Sequence, residues 1–153
     1  CFLMSRAFVA ALDAAGIPYT DDFYGPGTHE MKYWQADLRK FLPQMTAAWA
    51  DPPPAPSTFS YKTTSPAFEV WGWSFAAQRD VTEFLFLEDV DRDGLRLIGR
   101  GTVEVRTAAL YGPRSEHVVE TVGDATRTVV ADGEGRLSFV VDLGPSDAQV
   151  VIR

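Results

Sequence analysis

The chain is short of the residues that most often build functional sites. One cysteine, Cys1, excludes an internal disulfide and any cysteine-rich zinc module. Two histidines, His29 and His117, leave little material for a metal centre. No run approaches the roughly 18 uninterrupted apolar residues of a membrane-spanning helix. A surplus of positive charge is also missing: the net charge is −7, and the arginines stand singly among acids. That pattern is a solvated mixed-charge face and argues against a nucleic-acid partner, which requires a concentrated cationic surface. No G-x-S-x-G sequence occurs, so the strained turn that presents a hydrolase serine is not encoded here.

The residues that are present suit a folded protein. Apolar residues make up 46% and charged ones 23%, which is enough apolar material for a core and argues against disorder. At 153 residues the chain fits one ordinary domain, or a small domain with a piece of another. The opening "CFLMSRAFVAALDAAG" has no initiator methionine, and Arg6 interrupts its apolar run. It reads as a helix entered mid-sequence, so the expectation is a C-terminal piece of a longer polypeptide.

"DPPPAPST", residues 51–58, divides the chain. A proline run is stiff and extended, and patterning changes across it. Before it, Leu3, Met4, Ala7, Phe8, Ala11, Leu12 and Ala15 recur at helical spacing, and Gly16 supplies a stop. "IPYTDDFYG" reads as a short strand and is followed by a glycine-punctuated loop carrying His29. Trp34, Leu38, Phe41, Leu42, Met45 and Trp49 then line one face of a second helix, which Pro43 is expected to kink or end early. Residues 1–50 hold too little apolar surface to fold unaided.

After the linker, residues 59–153 alternate with period two in eight short segments, from "FEVWGWSF" to "AQVVIR". Turn signals such as "DRDG" and "DGEG" separate them. This predicts an antiparallel β-sandwich.

Three constellations invite chemistry. His29-Glu30 begins an H-E-x-x-H zinc motif, but position 33 is Tyr33, and one imidazole cannot hold zinc. Asp89, Asp91, Asp93 and Gly94 occupy positions 1, 3, 5 and 6 of a calcium loop, whereas position 12 is Arg100 and the flanks read as strands. An acidic hairpin turn is the competing reading. Trp71 and Trp73 alternate onto one strand face, where they either stack on sugar rings or pack inward. His117 reads as a strand-surface residue. No cofactor is implied.

A longer match bears on His29. "AFVAALDAAGIPYTDDFYGPGTHEMKYWQADLRKFLPQM" resembles the end of the esterase family that includes the mycolyltransferases and related carboxylesterases. The resemblance rests on Ala15, Gly16, Ile17 and Pro18, on Tyr24, Gly25, Gly27, Thr28 and His29, and on Tyr33, Trp34, Leu42 and Pro43. It implies a strand–loop–helix piece of an α/β-hydrolase in residues 1–50, ahead of the sandwich, with His29 as the triad general base. It places the nucleophilic serine, the oxyanion donors and the acidic member upstream, on a partner portion of the polypeptide. Asp21 and Asp22 are candidate substitutes for the acid, but they sit on the expected strand leading into the loop, where ordinary polar strand residues are the competing reading. The resemblance further implies an ester or acyl-sugar substrate and an extracellular or cell-envelope location. Glu30 and Met31 stand where mycolyltransferases usually carry serine and tryptophan, so mycolyl or trehalose specificity does not carry over. With no nucleophile of its own, the 153-residue chain is expected to be inactive.

Overall fold

Gly16 shows how directly local chemistry sets the first boundary. Its φ of +65° is open to glycine at no steric cost. It lets Ile17 N–H reach the Leu12 carbonyl at 3.0 Å and Gly16 N–H reach that of Asp13 at 3.1 Å, the paired bonds that close a helix C-terminus. Helix α1 therefore spans Phe2–Ala15. The computed structural model describes residues 2–23, 28, 30–123, 126–144 and 147–153. Chain contacts divide it into two compact units, Cys1–Pro53 and Pro54–Arg153.

In the first unit α1 is joined by α2, Met31–Ala50, which runs through Pro43 rather than ending there. Gln44, Met45, Ala47 and Ala48 are strong helix formers, and losing one backbone donor does not stop them. The helix ends where Asp51, placed before Pro52, is pushed out of helical geometry to φ −136°.

The expected strand at residues 17–23 is absent, and this overturns the α/β-hydrolase assignment of fold class. A strand requires a neighbouring ladder for its N–H and C=O groups, and none of the described residues of this unit forms one. Pro18 lacks a donor, and Asp21 and Asp22 are poor strand formers. No strand–helix alternation is present among the described residues. Two helices precede two antiparallel sheets, and the fold is mostly β.

The second unit holds ten strands among the described residues. They are β1 (Phe59–Thr63), β2 (Ala67–Val70), β3 (Trp73–Gln78), β4 (Leu85–Asp91) and β5 (Gly94–Ile98), then β6 (Thr102–Arg106), β7 (Glu116–Thr121), β8 (Thr126–Val130), β9 (Ser138–Asp142) and β10 (Asp147–Ile152). Eight segments became ten because "FEVWGWSF" is cut by a turn at Trp71-Gly72 and because "FSYKT" forms β1. One sheet runs β1-β4-β5-β10-β7-β8 and the other β2-β3-β6-β9. Alternation decides which side chains turn inward. Leu85, Leu87, Leu95, Leu97, Val119 and Val150 from the larger sheet, with Phe75, Val103, Val105 and Val141 from the smaller, make a core almost sealed from solvent.

Thr107 is a fully buried polar residue in that core. Its hydroxyl donates to Ala108 O at 2.9 Å and accepts Leu137 N–H at 2.9 Å, so its burial leaves no group unpaired.

Candidate functional site

In the helical unit, His29 lies outside the described residues. Thr28 Oγ1 donates to Glu30 Oε1 at 2.6 Å, and Lys32 Nζ sits 2.7 Å from Glu30 Oε2. The Lys32 bond first, and that of Thr28 second, hold the Glu30 carboxyl below its ordinary range. An open groove of about 840 Å³ adjoins Thr28, lined among others by Asp21, Asp22, Tyr33, Trp34 and Lys40. Asp22 forms an ion pair with Lys40, so as a substitute triad acid it would first have to exchange that partner.

Neither helix contains a buried side chain. Phe8 is 65% exposed and Phe41 54%, although both lie on the faces whose spacing marks them for burial.

In the sandwich the tryptophans part. Trp73 points into the core and is 3% exposed. Trp71 is not in a strand: with Gly72 it forms the two-residue turn between β2 and β3, both at positive φ (45° and 83°), as a hairpin of this twist requires. A non-glycine residue is strained there. Its ring packs edge-on against Phe59, centroids 4.8 Å apart, and Arg136 donates to Gly72 O at 2.8 Å, which together hold the turn. The pair therefore offers no flat stacking platform.

The acidic run 89–94 is a hairpin turn. Asp91 pairs with Gly94, and the Asp91 carboxylate accepts Asp93 N–H at 2.8 Å. Asp89 sits at φ 50° beside the irregular step in the β4–β5 ladder. No cluster of metal-ligating side chains occurs among the described residues. Gly94 is required sterically, since a Cβ there would lie 2.1 Å from Val150 O.

His117 is half-buried rather than a simple surface residue. Its Nε2 lies 2.8 Å from Ser115 Oγ, and its ring meets that of Tyr111 edge-on at 4.6 Å. A serine and a histidine in contact suggest a nucleophile and its base. The proton count argues otherwise. Ser115 Oγ donates its one proton to Gly112 O at 2.6 Å, so Nε2–H is the donor to Oγ and no imidazole lone pair faces the hydroxyl. Tyr111 O–H donates to Arg92 O at 2.7 Å, and burial pushes its phenol up to about 12. The trio ties the turn before β7 to the β4–β5 hairpin, and its bonds are structural.

Sequence reasoning missed a constellation on the outer face of the six-stranded sheet. Register places Phe86, Ile98 and Asp147 in one cross-strand row, with Glu88 and Arg96 opposed in the next. Arg96 donates through Nε to Asp147 Oδ2 and through Nη1 to Glu88 Oε2, both at 2.9 Å. The Asp147 bond is the main reason its guanidinium is raised and the Asp147 carboxyl lowered. Phe84 and Phe86 stand outward, ring centroids 5.9 Å apart. A signal existed in "VTEFLFLE": Phe84 and Phe86 alternate with the inward Leu85 and Leu87, so a strand needing one apolar face has two. A second groove, about 700 Å³, crosses the outer face of the smaller sheet over Ser74, Ala76 and Ser138.

No family model, curated protein or solved structure matches this chain. No helix among the described residues is long and apolar enough to cross a membrane.

Proposed function

We propose that this chain is the histidine-bearing part of a serine carboxylesterase or acyltransferase of the extracellular space or cell envelope, with the sandwich as its accessory domain. The observation that carries the reading is the segment 7–45, whose motif residues around His29 resemble the mycolyltransferase-like esterases over about forty positions. The bare apolar faces of α1 and α2 agree with it, since they call for a further body to cover them. His29 takes the serine proton and returns it to the leaving group. The serine, its oxyanion donors and the acid come from a partner portion, because nothing among the described residues supplies a nucleophile paired to a base. The substrate is an ester or an acyl sugar.

The test is hydrolysis of p-nitrophenyl butyrate with a fluorophosphonate label. The 153-residue chain alone should neither label nor hydrolyse. In the polypeptide that joins it to a nucleophile-bearing portion, His29→Ala should lower kcat by about four to six orders of magnitude. An alanine variant with the full rate ends the proposal.

A further inference from the structure

An open β-sheet has two edges, and each edge strand presents unpaired N–H and C=O groups to anything that can bond them. Among the described residues the sandwich has four such strands, β1 and β8 in the larger sheet and β2 and β9 in the smaller. Three of them carry a device that discourages further pairing. Strand β1 is broken by a register shift between Phe59 and Tyr61 and carries the exposed Lys62. Strand β8 bears Arg127 on the face that its cross-strand partner Val119 turns into the core, and an inward charge resists a neighbouring sheet. Strand β2 is four residues long, follows Pro66, ends in the strained Trp71-Gly72 turn and exposes Glu69.

Strand β9 has none of these. Its five residues, Ser-Phe-Val-Val-Asp, pair with β6 in unbroken register, with no proline, basic side chain or bulge. Only the terminal Asp142 is charged, and its Oδ1 accepts Gly144 N–H at 3.1 Å, which leaves Oδ2 for a second donor. The bonds that flank the ladder fix which way its backbone faces. Thr107 N–H reaches Leu137 O and Leu143 N–H reaches Gly101 O, both at 2.9 Å. Antiparallel pairs alternate between bonded and non-bonded, so Phe139 and Val141 are the residues that bond to β6. The N–H and C=O groups of Ser138, Val140 and Asp142 therefore point away from the sheet, and no described residue bonds to them. The side chains of the same three residues are exposed.

This edge is complementary to itself. Turned antiparallel about Val140, it sets Val140 against its own counterpart and Ser138 against Asp142 at both ends. Each opposed pair can then exchange two N–H···O bonds, a hydroxyl faces a carboxylate twice, and no like charges meet. Directly opposed residues share a face, so Phe139 and Val141 keep to the core side in both copies. We propose that two copies of this chain join β9 to β9 about a twofold axis through Val140, merging two four-stranded sheets into one of eight strands. The inference uses no residue of the helical unit and stands apart from the esterase reading.

The test combines sedimentation equilibrium with amide hydrogen exchange by NMR, on the 153-residue chain diluted from about 1 mM. Each copy carries a net charge of −7, which opposes association, so salt is held at about 0.15 M to shorten the Debye length to about 8 Å. The weight-average mass should rise with concentration from 16.9 kDa toward twice that value. Exchange at Ser138, Val140 and Asp142 should slow in step, by about tenfold once about nine-tenths of the chain is dimeric. Phe139 and Val141, already bonded to β6, should change far less. Val140→Pro removes the central outward donor without removing a bond to β6. It should leave a monomer throughout, with the core amides still protected. A chain that stays monomeric overturns the proposal. So does a dimer that leaves those three amides exchanging freely, or one that survives Val140→Pro in a folded chain. Should Val140→Pro fail to fold, the exchange pattern of the unaltered chain decides alone.

Discussion

The two units use apolar residues in opposite ways. In the sandwich, Leu87, Leu97, Leu137 and Val150 are at most 1% exposed, and every strand turns one face inward. In the helical unit Leu3, Phe8, Leu38 and Trp49 lie on clean amphipathic stripes, and no side chain in either helix is buried. Both regions follow their hydrophobic period. The sandwich can satisfy it because two sheets provide each other's cover, whereas two helices of this length cannot enclose a core. Amphipathic patterning thus specifies which face seeks burial without supplying what buries it.

The largest effect that could break this comparison is a pair of truncations. Leu97→Ala should cost about 2–5 kcal/mol, because it leaves a cavity in a sealed core. Leu38→Ala, in the same chain, should stay within about 0.5 kcal/mol. Urea titration of both variants checks it, and equal losses would mean the helical face is covered after all.

Next is Thr107→Val, which keeps shape and strands Leu137 N–H in the core. It should cost about 1–3 kcal/mol, read from the same titration. The smallest effect is electrostatic and confined to the sandwich surface. Backbone N–H of Arg136 first, then the Arg106 side chain, lower the Asp132 carboxyl to about 2. A depressed carboxyl contributes stability above its unfolded value near 4, and that contribution is lost as pH falls through about 2. Asp132→Asn should therefore flatten the melting-temperature profile between pH 4 and pH 2 and leave other acid-limb changes in place. An unchanged slope would remove Asp132 from the account.

Much of the sandwich was legible because period-two alternation and turn residues are local. Strands β4 to β10 correspond to predicted segments, and the stop at Gly16 followed from one residue type. The ends of that legibility have physical causes. "FEVWGWSF" looks like one strand until Gly72 and a strained Trp71 reverse it, and nothing local announces that a tryptophan will accept a positive φ in exchange for packing on Phe59. "IPYTDDF" looks like a strand by its flanks, yet strandhood belongs to a pair of segments and no partner ladder is present. Pro43 looks like a helix stop, yet good helix formers beyond it carry the helix on.

Candidate sites divide the same way. His29 stands out by motif alone, and the acidic turn at 89–94 could be weighed from Arg100 and its strand-like flanks. The meeting of Phe84, Phe86, Arg96 and Asp147 required the register of β4, β5 and β10, which are far apart in the chain, and the Ser115–His117 contact and the parting of Trp71 from Trp73 required the turns that the tertiary structure sets. By itself the sequence determined which faces are apolar, where α1 ends, and that the second unit is antiparallel β. Tertiary structure decided which apolar faces find cover and which polar groups meet. Burial and hydrogen bonding are properties of pairs, and a sequence lists their members one at a time.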